Sequence, residues 1–75
     1  GLTVTELEQL RAVYCREHPG TELQAHQKLA QVSAHEAQGR LAQAVTALEE
    51  ALALDPLNLA YHQKYASLRR RVPHP

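Results

Sequence analysis

Five histidines are the first residues in this chain that invite chemistry: His18, His26, His35, His62 and His74. Imidazole moves protons near neutral pH and binds metals readily. Two ligands on one helical face need a spacing of three or four residues, and no histidine pair has it. No carboxylate-rich loop accompanies them, so they read as scattered surface or interface histidines, and no metal is expected. Cys15, the single cysteine, stands between Tyr14 and Arg16. A thiol nucleophile needs an adjacent base and donors for a developing oxyanion. No glycine-rich or strand-turn-helix context supplies them, so Cys15 reads as a small buried hydrophobe or an inert thiol. Glu49 and Glu50 are adjacent on a helical pattern and point apart, which makes a solvated face rather than an acid/base pair. The expectation is a non-enzyme with no catalytic residues and no cofactor.

The run Arg69-Arg70-Arg71 is the strongest candidate for a contact with nucleic acid or phospholipid. It also falls in the last turn of a helical pattern, where the macrodipole favours cations. With no interleaved aromatics and no glycine-rich loop, nucleic acid is not the expected partner. A basic tail docking on the acidic body of a partner subunit is an equal reading. The charge map supports that asymmetry. All eight acidic residues lie within 1–58 beside Arg11, Arg16, Lys28 and Arg40, whereas 59–75 holds Lys64 and the three arginines. The net charge is zero, so the whole molecule is not built to meet a polyanion.

These residues must be positioned by helices. Phe and Trp are absent, β-branched residues are few, and Ala, Leu, Gln, Glu and Arg dominate. The spacing predicts helices over about 4–17, 22–38, 41–54 and 57–71, with a frayed tail over 72–75. A capping box, Thr3 with Glu6 or Thr5 with Glu8, opens the first. Its apolar face is Leu7, Leu10, Val13 and Tyr14, and His18-Pro19-Gly20 stops it. Thr21 and Gln24 have capping-box spacing for the second helix, in which Leu23, Leu29 and Val32 are padded by alanines. Gly39 fits the position after that helix, where positive φ carries no Cβ penalty. The third helix has the densest stripe: Leu41, Ala44, Val45, Leu48, Ala51 and Leu52. A two-residue break makes it an antiparallel hairpin with the second. Asp55 caps the fourth with Pro56 at its first position, or Asn58 caps it slightly later. Tyr61, Tyr65, Leu68 and Val72 line one of its faces.

Seventy-five residues make at most one small domain, and a chain of that size buries only about 60% of its unfolded surface. One cysteine allows no internal disulfide. Stability must come from packed helices, a partner chain or neighbouring segments. With Gly1 first and no methionine, the expectation is an excised fragment or a processed product. No apolar run approaches 18 residues, so no membrane span is expected, and a cytoplasmic location is the default.

Gly39, Ala44, Leu48, Ala51, Leu52, Asp55 and Pro56 resemble the second half of a tetratricopeptide repeat, a helix hairpin of about 34 residues. The resemblance implies roles for them. Gly39 turns between the helices, Ala44 lets them touch, Ala51 packs against the next unit, and Pro56 opens it. The first half departs from the family. Lys28 and His35 stand where large aromatics are expected, and Gln31-Val32 where Leu-Gly is. The groove-facing positions of the family fall near His26, Leu29, Ser33 and Glu36, which do not form the Lys/Asn clamp that some members use on a carboxylate. A second resemblance covers the second to fourth helices: small three-helix (MIT-like) domains of membrane trafficking, which bind helical tails of membrane-remodelling polymers.

The expectation is therefore an all-α, four-helix tetratricopeptide-like array or small bundle acting as a protein–protein interaction module, scaffold or adaptor. Its partner is another protein, as a helix or extended peptide, or a second copy of itself. The second and fourth helices line the meeting surface, through His26, Leu29, Ser33, Glu36, Tyr61, Tyr65, Leu68 and Arg69, with the tyrosines as anchors. Gly39, Ala44, Leu48, Ala51 and Pro56 carry the structural motif. The bulk missing from the second helix must come from the first, the fourth or another chain.

Overall fold

The computed structural model describes residues 1–73; His74 and Pro75, the end of the expected tail, lie outside the described residues. Four helices run in order: α1 Val4–Glu17, α2 Thr21–Ala37, α3 Leu41–Leu54 and α4 Leu59–Arg71. No strand occurs among the described residues.

Each helix starts and stops for a local reason. At α1 the Thr3 hydroxyl accepts from the Glu6 N–H at 3.1 Å, and the Glu6 carboxylate accepts from the Thr3 N–H at 3.4 Å. Two orphan donors are satisfied reciprocally. The Thr21–Gln24 capping box does not form. His18-Pro19-Gly20-Thr21 closes a turn through the Thr21 N–H to the His18 carbonyl at 3.3 Å, with Gly20 at φ 88°. Pro second and Gly third, with positive φ, is the pattern of a type II turn. That turn places Thr21 inside the helix, where its hydroxyl donates back to the His18 carbonyl at 2.8 Å. The cap is Gly20, which has no side chain to offer.

The α2–α3 turn is a Schellman motif. The Arg40 N–H reaches the His35 carbonyl at 2.9 Å, and the Gly39 N–H reaches the Glu36 carbonyl at 3.1 Å. Gly39 takes φ 73° there. Between α3 and α4, Asn58 is the cap, its side-chain oxygen accepting from the Tyr61 N–H at 3.3 Å. Pro56 therefore lies in the turn before α4 rather than at its first position.

The core sits between α2, α3 and α4. α3 is the spine, with Ala44, Val45, Ala47, Leu48 and Ala51 buried. Ala25 and Val32 come from α2, and Tyr61 and Leu68 from α4. Ala25, Ala44 and Ala51 are fully covered, so the small side chains let the helix backbones approach closely. The bulk missing from α2 is thus supplied by α4. Leu29, Leu41, Leu52, Leu54, Tyr65 and Val72 pack around this cluster.

α1 contributes no buried residue. The expected stripe of Leu7, Leu10, Val13 and Tyr14 does not face inward as a unit. Leu7, Arg11, Tyr14 and Cys15 are half-buried, while Leu10 and Val13 are 46% and 41% exposed. The inward line follows i, i+4, i+7, i+8, and it carries a charge in its middle. α1 lies beside the N-terminal ends of α2 and α4. The molecule measures 38 × 28 × 17 Å with a radius of gyration of 13.2 Å. A compact chain of this length would have a radius of about 11 Å, so the helices form a flattened slab.

Candidate binding groove

The groove is organised by one buried acid. Asp55, at the C-terminal end of α3, is 1% exposed. Its carboxylate receives the Arg11 fork from α1: Nε at 3.1 and 3.2 Å to the two oxygens, and one terminal nitrogen at 2.7 Å. The Asn58 side-chain amide adds a third donor at 3.1 Å. Burial of a carboxylate is tolerated only with such pairing. The hydrogen bonds that the Arg11 guanidinium donates to Asp55 hold it charged, pushing its pKa above the ordinary arginine value. Glu22, in the first turn of α2, lies 3.5 Å from the same guanidinium. One arginine therefore joins the start of α2 and the end of α3 to α1.

Around it opens a groove of about 580 Å³, lined by Arg11, Gly20, Glu22, Leu23, His26, Asn58 and Tyr61. Leu23 is 63% exposed at this groove. Burial pushes the Tyr61 phenol above its ordinary range, with Asp55 adding to the rise. A second, more apolar cleft of about 330 Å³ separates α1 from α4, with Val4, Leu7 and Arg11 on one side and Leu57, Leu59 and Ala60 on the other.

Of the residues expected to meet a partner, His26 and Tyr61 line the larger groove. Tyr61 and Leu68 are buried; both side chains serve the core, and Leu68 offers no outer surface. His26 and Ser33 are exposed, and Leu29 is half-buried against the core. Glu36 is occupied within the chain: Lys64 reaches one carboxylate oxygen at 2.7 Å and Arg71 the other at 3.0 Å. The hydrogen bond from Lys64, joined by that from Arg71, holds the Glu36 carboxyl below the usual glutamate range. Tyr65 donates to Glu49 at 3.1 Å, and the Arg69 guanidinium sits 5.9 Å from the Tyr65 ring centre. Part of the basic tail thus meets acids of its own body.

Where the family pattern would place aromatics, Lys28 pairs with Glu50 at 2.8 Å, and His35 is half-buried with its Nδ1 enclosed and without a hydrogen-bond partner. Burial pushes the Cys15 thiol up, away from the reactive thiolate. No group of three or more His, Cys, Asp or Glu among the described residues is arranged to hold a metal ion. No helix among them is long and apolar enough to cross a membrane.

Sequence reasoning missed Arg11, Glu22 and Asn58 as groove residues. The signal was Arg11 itself, a lone charge in the half-apolar line Leu7, Arg11, Tyr14, Cys15. A charge at such a position implies a counter-ion on whatever the face covers.

A hairpin turned by a glycine, spaced by alanines and closed by Asp-Pro defines a helical-repeat protein. The family model described as tetratricopeptide repeat matches residues 23–68, spanning most of α2, all of α3 and most of α4. The chain belongs to the tetratricopeptide repeat family, whose repeats serve generally as protein–protein interaction modules. No curated protein and no solved structure matches the chain.

Proposed function

We propose that the chain is a non-catalytic interaction module, a scaffold or adaptor, whose groove at the starts of α2 and α4 receives a helix or extended peptide of another protein. The observation that carries this reading is the groove's make-up. Charged and polar groups (Arg11, Glu22, His26, Asn58) surround an exposed Leu23 and the ring of Tyr61. Such a surface gives a peptide an apolar seat with orienting polar contacts. Burial, with Asp55 and Glu22 nearby, keeps the Cys15 thiol protonated, which supports a binding role over a catalytic one. The engagement of Arg71 by Glu36 and of Arg69 by Tyr65 leaves little of the basic run for a polyanion. A cytoplasmic setting is part of the same proposal.

The test uses peptides selected from a random displayed library against the 75-residue chain. Their binding weakens at least about tenfold on Leu23→Glu, an exposed position whose substitution leaves the fold intact. Peptides that bind wild type and variant equally, or failure to select any, would overturn the reading. Self-association is favoured by a separate observation, the exposed Leu10 and Val13 on α1; sedimentation across a concentration series checks it.

A further inference from the structure

α1 is attached unlike the other helices. It has no buried residue, and its link to α2 is a turn built on Pro19 and Gly20. Among the described residues, its ion pairs to the other helices run through Arg11, to Asp55 and Glu22. Locally it is self-sufficient: Thr3 and Glu6 close its start, and the Tyr14 and His18 rings stack at 4.2 Å at its end. Arg11 and Asn58 together form the wall shared by the groove of about 580 Å³ and the cleft of about 330 Å³.

We propose that α1 is a strap, latched by the Arg11 fork on Asp55, that undocks from the α2–α3–α4 core without unfolding it. A bidentate arginine–carboxylate bond is strong but depends on geometry. With few apolar contacts behind it, loss of the fork releases the whole helix. Elements with little buried apolar surface open below the global unfolding free energy. Undocking uncovers Asp55 and the apolar side of the α3–α4 corner at Leu57 and Leu59, and it joins the two grooves into one. Glu22 and Asn58 remain at the opening, so the uncovered surface is polar-edged and suited to a basic helix in place of α1. The strap itself does not depend on the groove being a peptide site.

Native-state hydrogen exchange on the intact chain tests it. The expected result is that α1 amides exchange through a common opening with little denaturant dependence, while Ala44, Leu48 and Ala51 amides exchange only through global unfolding. Cys15, half-buried on the inner side of α1, gives a second readout through its labelling by a bulky maleimide. Arg11→Lys keeps the charge for Asp55 but loses the fork, and it raises Cys15 labelling about tenfold with the α3 amides unchanged. Exchange of α1 and α3 along one isotherm in the wild type would overturn the proposal. So would an Arg11→Lys variant that leaves labelling unchanged or speeds the α3 amides equally.

Discussion

Among the described residues Asp55 is the one buried charged side chain, and the energetics of its pairing with Arg11 are asymmetric. Removing either partner strands the other. Asp55 is covered to 1% and Arg11 is 30% exposed, so the stranded acid is the costlier case. Arg11→Ala is expected to lower stability by at most about 3 kcal/mol, the lower end for a broken buried pair, because water reaches the arginine side and undocking of α1 lets it reach Asp55 as well. A urea denaturation midpoint measures it. For a 75-residue domain with total stability of about 4–11 kcal/mol, that is a large fraction. Gly39 is a second single-residue control. Its φ of 73° is the left-handed region, and a Cβ there meets no atom within 4 Å. Gly39→Ala is therefore a pure backbone penalty of about 1 kcal/mol, and Gly39→Asn costs less. Both readings, by thermal or urea unfolding, separate conformational strain from steric clash.

Between elements, the α2–α3 contact is set by alanine. Ala44 is fully covered, so Ala44→Leu should overpack the hairpin and cost about 1–3 kcal/mol. Near-neutral stability in denaturant unfolding would contradict close helix approach. The α2–α4 contact is different in kind, because Glu36 holds Lys64 and Arg71 across it. Its carboxyl pKa is lowered in the folded state, mainly by the Lys64 hydrogen bond. The stabilisation is therefore complete above the ordinary glutamate pKa and is lost as pH falls through the lowered native value. Melting temperatures measured from neutral pH downward are expected to fall in the acid range, with a shallower fall in Glu36→Gln. Helix existence was legible because propensity and period agreed over long stretches. The start of α2 was misread because Thr21 has the right spacing but the Pro19-Gly20 turn claims its position first. The start of α4 was ambiguous between Asp55 and Asn58, and the choice fell to Asn58 because Asp55 is engaged by Arg11.

For the whole molecule, the question is how 75 residues without Phe or Trp hold a fold. The largest fully buried side chains are Leu48, Leu68, Val32 and Asp55. Burying each aliphatic one contributes roughly 1.5–3 kcal/mol, a modest sum against chain entropy. Leu2, Val4, Leu10, Val13 and Leu23 remain exposed. Covering them by a partner or a second copy would raise the melting temperature with concentration. Sedimentation and differential scanning calorimetry over a hundredfold concentration range check this. A sharp transition independent of concentration is the outcome expected if the four helices are sufficient alone.

The sequence by itself determined the helical class, the Gly39 hairpin, the α3 spine and the kinship with tetratricopeptide repeats. These follow from short-range physics: propensity, period, caps and the conformational freedom of glycine. Only the tertiary structure decided which faces meet. It turned Tyr61 and Leu68 inward to replace the bulk that α2 lacks, set Glu36 against the basic tail, and joined Arg11 to Asp55 across 44 residues. Spacing along a helix fixes which residues share a face. Which face is covered depends on the packing angle of another helix, and that is a property of the assembled core.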